Sequence, residues 1–113
     1  MTLTELRDNI LEHLKVLAAG QSPSAEDTAK VLKSLNIQHE VLVRKGLAYW
    51  AVEDTPTWAT DFVTHIVAAA LAVDFGHNQA DVDRYRIAAD IAVRELSALA
   101  DSKEEHETQT EYF

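Results

Sequence analysis

Thr55-Pro56-Thr57-Trp58-Ala59-Thr60-Asp61-Phe62-Val63-Thr64-His65-Ile66-Val67-Ala68-Ala69-Ala70-Leu71-Ala72-Val73-Asp74-Phe75-Gly76 is the stretch whose reading decides the fold. Thr followed by Pro reads as a helix start, since Pro at the first helical position loses no needed N–H. The expected helix runs from Pro56 to Phe75 and is apolar on nearly every side between Phe62 and Val73. A helix without a polar face belongs in the middle of a bundle or at a subunit contact. The chain is therefore expected to be all-α.

On the N-terminal side, Leu3, Leu6, Ile10, Leu14 and Leu17 follow the spacing of one helical face. They imply a helix from Leu3 to Ala19, capped by Thr2 and ended by Gly20. Gln21-Ser22-Pro23-Ser24 makes a turn, and Ser24 with Asp27 forms a loose capping box. A second helix is expected from Ala25 to Lys45, with Thr28, Val31, Leu32, Leu35, His39 and Leu42 near one face and Gly46 beyond its end. Leu47 to Val52 is aromatic and β-compatible but short, so it reads as an extended connector or short strand. On the C-terminal side, Gly76-His77-Asn78 precedes a fourth helix from about Asp81 to about Leu99. Val82, Tyr85, Ala89, Ala92, Val93, Leu96 and Leu99 form its main stripe. A second stripe, Ile87, Ile91 and Ala98, points elsewhere and serves either a second buried face or a neighbouring chain.

The expectation is thus a small bundle of about four helices over residues 1–100, with a short extended connector, followed by an acidic, flexible C-terminal tail over 101–113. That tail holds five acids and one base, and no apolar residue precedes Tyr112-Phe113. Such a segment buries too little surface to offset the entropy of ordering. It is either a solvated end or a segment that orders on a partner with the two aromatics as anchors.

The chain has 113 residues, 19 acids against 10 bases, a net charge of −9 and no cysteine. The acidic surface argues against gripping nucleic acid through its phosphates. The missing thiols exclude disulfides, thiolate zinc sites and cysteine nucleophiles. No basic segment leads into an apolar one near Met1, so a secretory signal is not expected. The longest apolar run, Ile66 to Val73, is far short of the roughly 20 residues of a membrane span, so no membrane association is expected.

Candidate chemistry is sparse. Asp61 and His65 share a helical face at a spacing that can hold a metal, but no third ligand stands near them in sequence, so a cap-proximal acid and a packed histidine are the plainer reading. His13, His39 and His77 stand isolated. Glu104 to Glu107 form a charge run, and no serine sits in a nucleophile elbow. There is no phosphate-cradling glycine loop. Trp50 and Trp58 flank the connector, where tryptophans more often pin a loop onto the core than bind a ligand. No enzyme, cofactor or metal is expected.

Taken together, Val16-Leu17-Ala18-Ala19-Gly20, Gln21-Ser22-Pro23-Ser24, the opening Ala25-Glu26-Asp27-Thr28-Ala29, Leu35-Asn36 inside the second helix, and Ala72-Val73-Asp74-Phe75-Gly76 closing an Ala-rich helix resemble the head-to-tail adaptor proteins of tailed bacteriophages, including the tail accessory factors of short-tailed phages. Val73 stands where that family often has proline, and the family's Trp after Leu-Asn is replaced near Val41 or Leu42. The resemblance spans roughly residues 3–100. It implies a ring, usually dodecameric, that docks on the phage portal protein at the head-tail junction of the virion after assembly in the host cytoplasm. The ring would extend the channel through which double-stranded DNA passes without sequence-specific binding, and would carry the downstream tail or nozzle protein. Portal binding would fall to Thr108, Gln109, Thr110, Glu111, Tyr112 and Phe113. Lateral subunit contacts would fall to Trp50, Trp58, Ile87 and Ile91. The competing expectation is a small acidic helical regulator, antitoxin-like or inhibitor-like, that binds a protein target through its tail.

Overall fold

Helix α1 (Leu3–His13) starts where the sequence places it, with Thr2 in extended geometry and its hydroxyl accepting the Glu5 N–H. It stops six residues before Ala19, which corrects the expected end at Gly20. Two side chains, one from α4 and one from the turn before it, explain the early stop. Tyr85 donates its O–H to the His13 carbonyl (3.1 Å), and the His77 Nε2 donates to the Leu14 carbonyl (2.8 Å), so the acceptors that a continuing helix would use are already taken. Lys15 turns left-handed at φ 60°, and Val16 and Leu17 donate back to the Leu11 carbonyl. This Schellman-type reversal folds Leu17 over the last turn and into the core. The computed structural model describes residues 1–18 and 20–111, with side chains through residue 100 except that of Ala19.

Helix α2 (Ala25–Arg44) has the expected limits. Ser24 Oγ accepts the Asp27 N–H, and Gly46, at φ 73°, ends the helix with Leu47 N–H returning to the Leu42 carbonyl. Val31, Leu35 and Leu42 are its buried face. The connector then alternates, with Ala48 and Trp50 buried and Tyr49 and Ala51 exposed, which is the signature of extended chain. No strand forms among the described residues.

Two short 3-10 turns, Val52–Asp54 and Thr57–Ala59, precede α3 (Thr60–Leu71). The Thr-Pro start is corrected here: Thr55 is buried and donates its hydroxyl to the Val52 carbonyl, while Pro56 stays extended at ψ 146°. Thr60 makes the first α-helical residue, and its hydroxyl donates to the Pro56 carbonyl (3.2 Å). Helical bonding carries on to Phe75, whose N–H meets the Leu71 carbonyl, and Gly76 at φ 78° closes the turn with His77 N–H on the Ala72 carbonyl.

Helix α3 sits in the middle, as its all-round apolarity requires. It packs against α1 and α2 on one side and α4 (Gln79–Glu111) on the other. Val63, Ile66, Val67, Ala68 and Leu71 are buried with Thr60 and Thr64, and the Thr64 hydroxyl accepts from the Asn9 amide (2.9 Å). Burying a hydroxyl is tolerable when it is paired in this way.

Val82, Ala92 and Leu96 dock α4 on α3. Leu99, expected in that stripe, is 49% exposed instead. Helical backbone passes the expected end near Leu99 and continues to Glu111, because residues 100–111 contain no glycine or proline and are mostly good helix formers. At about 1.5 Å per residue α4 is roughly 50 Å long, and it sets the 53 Å long axis of the molecule.

Candidate functional site

Where α3 and α4 cross, Ala88 and Ala92 stand one turn apart and leave space that larger side chains would fill. The result is an open groove of about 390 Å³ lined by Asp61, Phe62 and His65 from α3 and by Ala88, Ile91, Ala92 and Glu95 from α4. Its floor is apolar and its lining carries two carboxylates and no Lys or Arg. That arrangement suits an aliphatic side chain accompanied by a base. Ile91 is 47% exposed, and Ile87, one turn before it, is 60% exposed.

Behind the groove lies a file of rings that the linear sequence did not disclose. His65 meets His13 edge-on at 4.9 Å, His13 meets Tyr85 at 5.6 Å, and Tyr85 meets His77 at 5.2 Å. Burial holds the His13 imidazole below its ordinary value; His65 adds to the effect and Asp61 opposes it. Burial, helped by Asp81, pushes the Tyr85 phenol up, while Arg84 opposes. The phenol thus keeps its proton and its bond to the end of α1. Because a carbonyl can only accept, His77 Nε2 carries the hydrogen it gives to Leu14, and its Nδ1 lies 3.8 Å from Asp81. The buried His65 Nδ1 has no hydrogen-bond partner among the described residues. These histidines come from α1, α3 and the turn before α4, and no spacing rule joins positions 13, 65 and 77.

At the other end of α3, Trp50 and Trp58 meet edge-to-face at 5.6 Å, with Tyr49 at 5.3 Å and His39 at 6.4 Å from Trp50. Trp50 is buried inside its own chain, so the surface it was expected to offer a neighbour falls instead to Trp58, which is 47% exposed. The buried Trp50 indole N–H has no acceptor among the described residues.

The structure thus gathers Asp61, His65 and Ile91 at one groove and pairs Trp50 with Trp58. Thr108, Gln109, Thr110 and Glu111 lie on the helical backbone of α4. Tyr112 and Phe113 lie outside the described residues. Among the described residues no group of three or more His, Asp or Glu is placed to hold a metal ion, and no helix is long and apolar enough to cross a membrane. A second exposed aliphatic pair, Ile37 and Val41 on α2, went unread in the sequence although its one-turn spacing was visible there. No family model, curated protein or solved structure matches this chain.

Proposed function

We propose that this chain is a structural, ring-forming head-to-tail adaptor of a tailed bacteriophage rather than an enzyme. The observation that carries the reading is the two-faced α4: Val82, Ala92 and Leu96 bury one face on α3, while Ile87 and Ile91 stay exposed on the other. A helix already docked on its own domain has no folding need for a second aliphatic stripe, and such a stripe suits contact with a neighbouring copy. With the resemblance noted above, that contact becomes the lateral contact of a ring, dodecameric as in that family, which repeats one interface until rotation closes it.

In this reading residues 101–113 attach each copy to the portal, with Tyr112 and Phe113 as anchors. Many tails on one rigid crown give avidity from weak single contacts. The opposite end of the ring carries the downstream tail or nozzle protein. A net charge of −9 keeps passing DNA off the channel wall. The free chain is a monomer or a weak oligomer, and the virion's head-tail junction is where it acts.

Co-sedimentation with portal rings from the same phage tests the proposal. The full chain is expected to load onto the rings, and a chain ending at residue 100 to stay in the supernatant while unfolding like the parent. A full chain that forms a tight dimer and ignores the rings overturns the proposal, and tail-dependent inhibition of an enzyme would favour the regulator instead.

A further inference from the structure

We infer that neighbouring copies join through two different faces: the outward stripe of α4 on one copy receives the outward stripe of α2 from the next. The inference rests on the ring-assembly reading above and names the surface that completes the contact. Ile37 and Val41 stand one turn apart on α2, 49% and 36% exposed, on the side away from the buried Val31, Leu35 and Leu42. Helices α2 and α4 both pack on α3 and not on each other, so the two stripes lie on separate flanks of one subunit. A contact between separate flanks is heterologous, the kind that propagates into a ring instead of stopping at a pair.

Charge selects the same pairing. Residues 25–45 carry four bases against three acids, whereas residues 46–113 carry thirteen acids against four bases. The α2 helix and its cap are therefore net positive by one, in a chain whose remainder is strongly negative. Lys30 and Arg44 are engaged with Glu26 and Glu40, but Lys33 and Lys45 are exposed and make no ion pair among the described residues. Across the contact, the α4 groove offers Asp61 and Glu95 beside Ile91. Arg94 lies at the edge of that stripe, outside the groove lining. An α4-to-α4 pairing would bring Asp83, Asp90 and Glu95 together with Arg84, Arg86 and Arg94, a balanced set with no net attraction, and an α2-to-α2 pairing would oppose Lys33 and Lys45, so neither like pairing gains what the lysines gain from Asp61 and Glu95. Each stripe presents two half-exposed aliphatics, which is too little for a stable isolated dimer and suits an interface strengthened by closure on a template.

The chain has no cysteine, so introduced thiols report without background. Ile37→Cys, Ile91→Cys and the double variant are each treated with a short bismaleimide at the highest soluble concentration, after circular dichroism melts establish that they fold. The double variant is expected to give a ladder extending past the dimer. Each single variant alone stays monomeric, and a mixture of the two singles stops at one dimer band. A dimer from Ile91→Cys alone means that α4 stripes face each other: the inference fails while self-assembly stands. No cross-linking in any sample also overturns it, and portal co-sedimentation then decides separately whether the adaptor reading survives.

Discussion

Truncating Leu96 to alanine separates the two faces of α4 most sharply. Leu96 is 1% exposed and lies where α4 docks on α3, among Val63, Val67 and the other buried residues of the core. The change removes a buried branched side chain and leaves a cavity in a central contact, for which about 3 kcal/mol is the expected loss. For a domain of this size each kcal/mol moves the melting temperature by roughly 4 °C, so the midpoint should fall by about 12 °C. Ile87→Ala, on the opposite face of the same helix, removes a side chain that is 60% exposed and should stay within about 0.5 kcal/mol of the parent. Thermal unfolding followed at 222 nm, the usual helix wavelength, at a concentration where the parent is monomeric, reads both changes. Equal losses for the two variants would refute the assignment of one face to the core and the other to a neighbour.

Three other outcomes follow from the same contacts. Lys15→Gly should raise stability by about 1 kcal/mol in a denaturant titration, because Lys15 holds a left-handed backbone that disfavours any side chain. His77→Ala leaves the Leu14 carbonyl without its imidazole donor and should cost about 1 to 2 kcal/mol, read by the same titration. Folded His13 binds its proton less readily than the unfolded chain does, so its contribution is fully present above the ordinary value of 6.5 and is lost as pH falls toward the lowered one. Melting temperatures followed from about pH 8 to about pH 5 should therefore hold steady above about 6.5 and decline through the lower part of that range. His13→Gln should flatten the decline, His65 and Asp61 on α3 and Tyr85 on α4 being the groups that face the ring.

Local signals carried much of the fold because the chain punctuates its helices with the residues that end helices for steric reasons. Gly46 and Gly76 both adopt the left-handed turn that closes a helix, and Ser24 and Thr2 cap where their spacing says they should. The all-apolar face of α3 foretold its central place. The failures have tertiary causes. α1 ends early because Tyr85 and His77, more than 60 residues away, occupy its last carbonyls. Leu99 fits the helical period of the core stripe yet is exposed, a difference that periodicity alone does not register.

The candidate site divides in the same way. Ile87 and Ile91 were legible as a second stripe because a helical wheel suffices to find them. The exposed pair on α2 obeyed the same rule but was hidden by the stronger stripe of Val31, Leu35 and Leu42. A lateral contact for Trp50 came only from the resemblance; a tryptophan beside a connector more often pins the loop onto the core, and Trp50, packed against Trp58 and His39 of α2, does so. The ring file joins His13 of α1, His65 of α3, His77 of the turn before α4 and Tyr85 of α4, so no local pattern could announce it.

The number of chains held by each portal ring, from native mass measurement of the assembled complex, tests the central claim most directly. The account expects the parent chain to add one fixed, symmetric complement to every ring, and Ile91→Asp, although folded with an unchanged melting temperature, to load sparsely and without a fixed number. Full, uniform loading by Ile91→Asp, or no added mass from the parent chain, would contradict it.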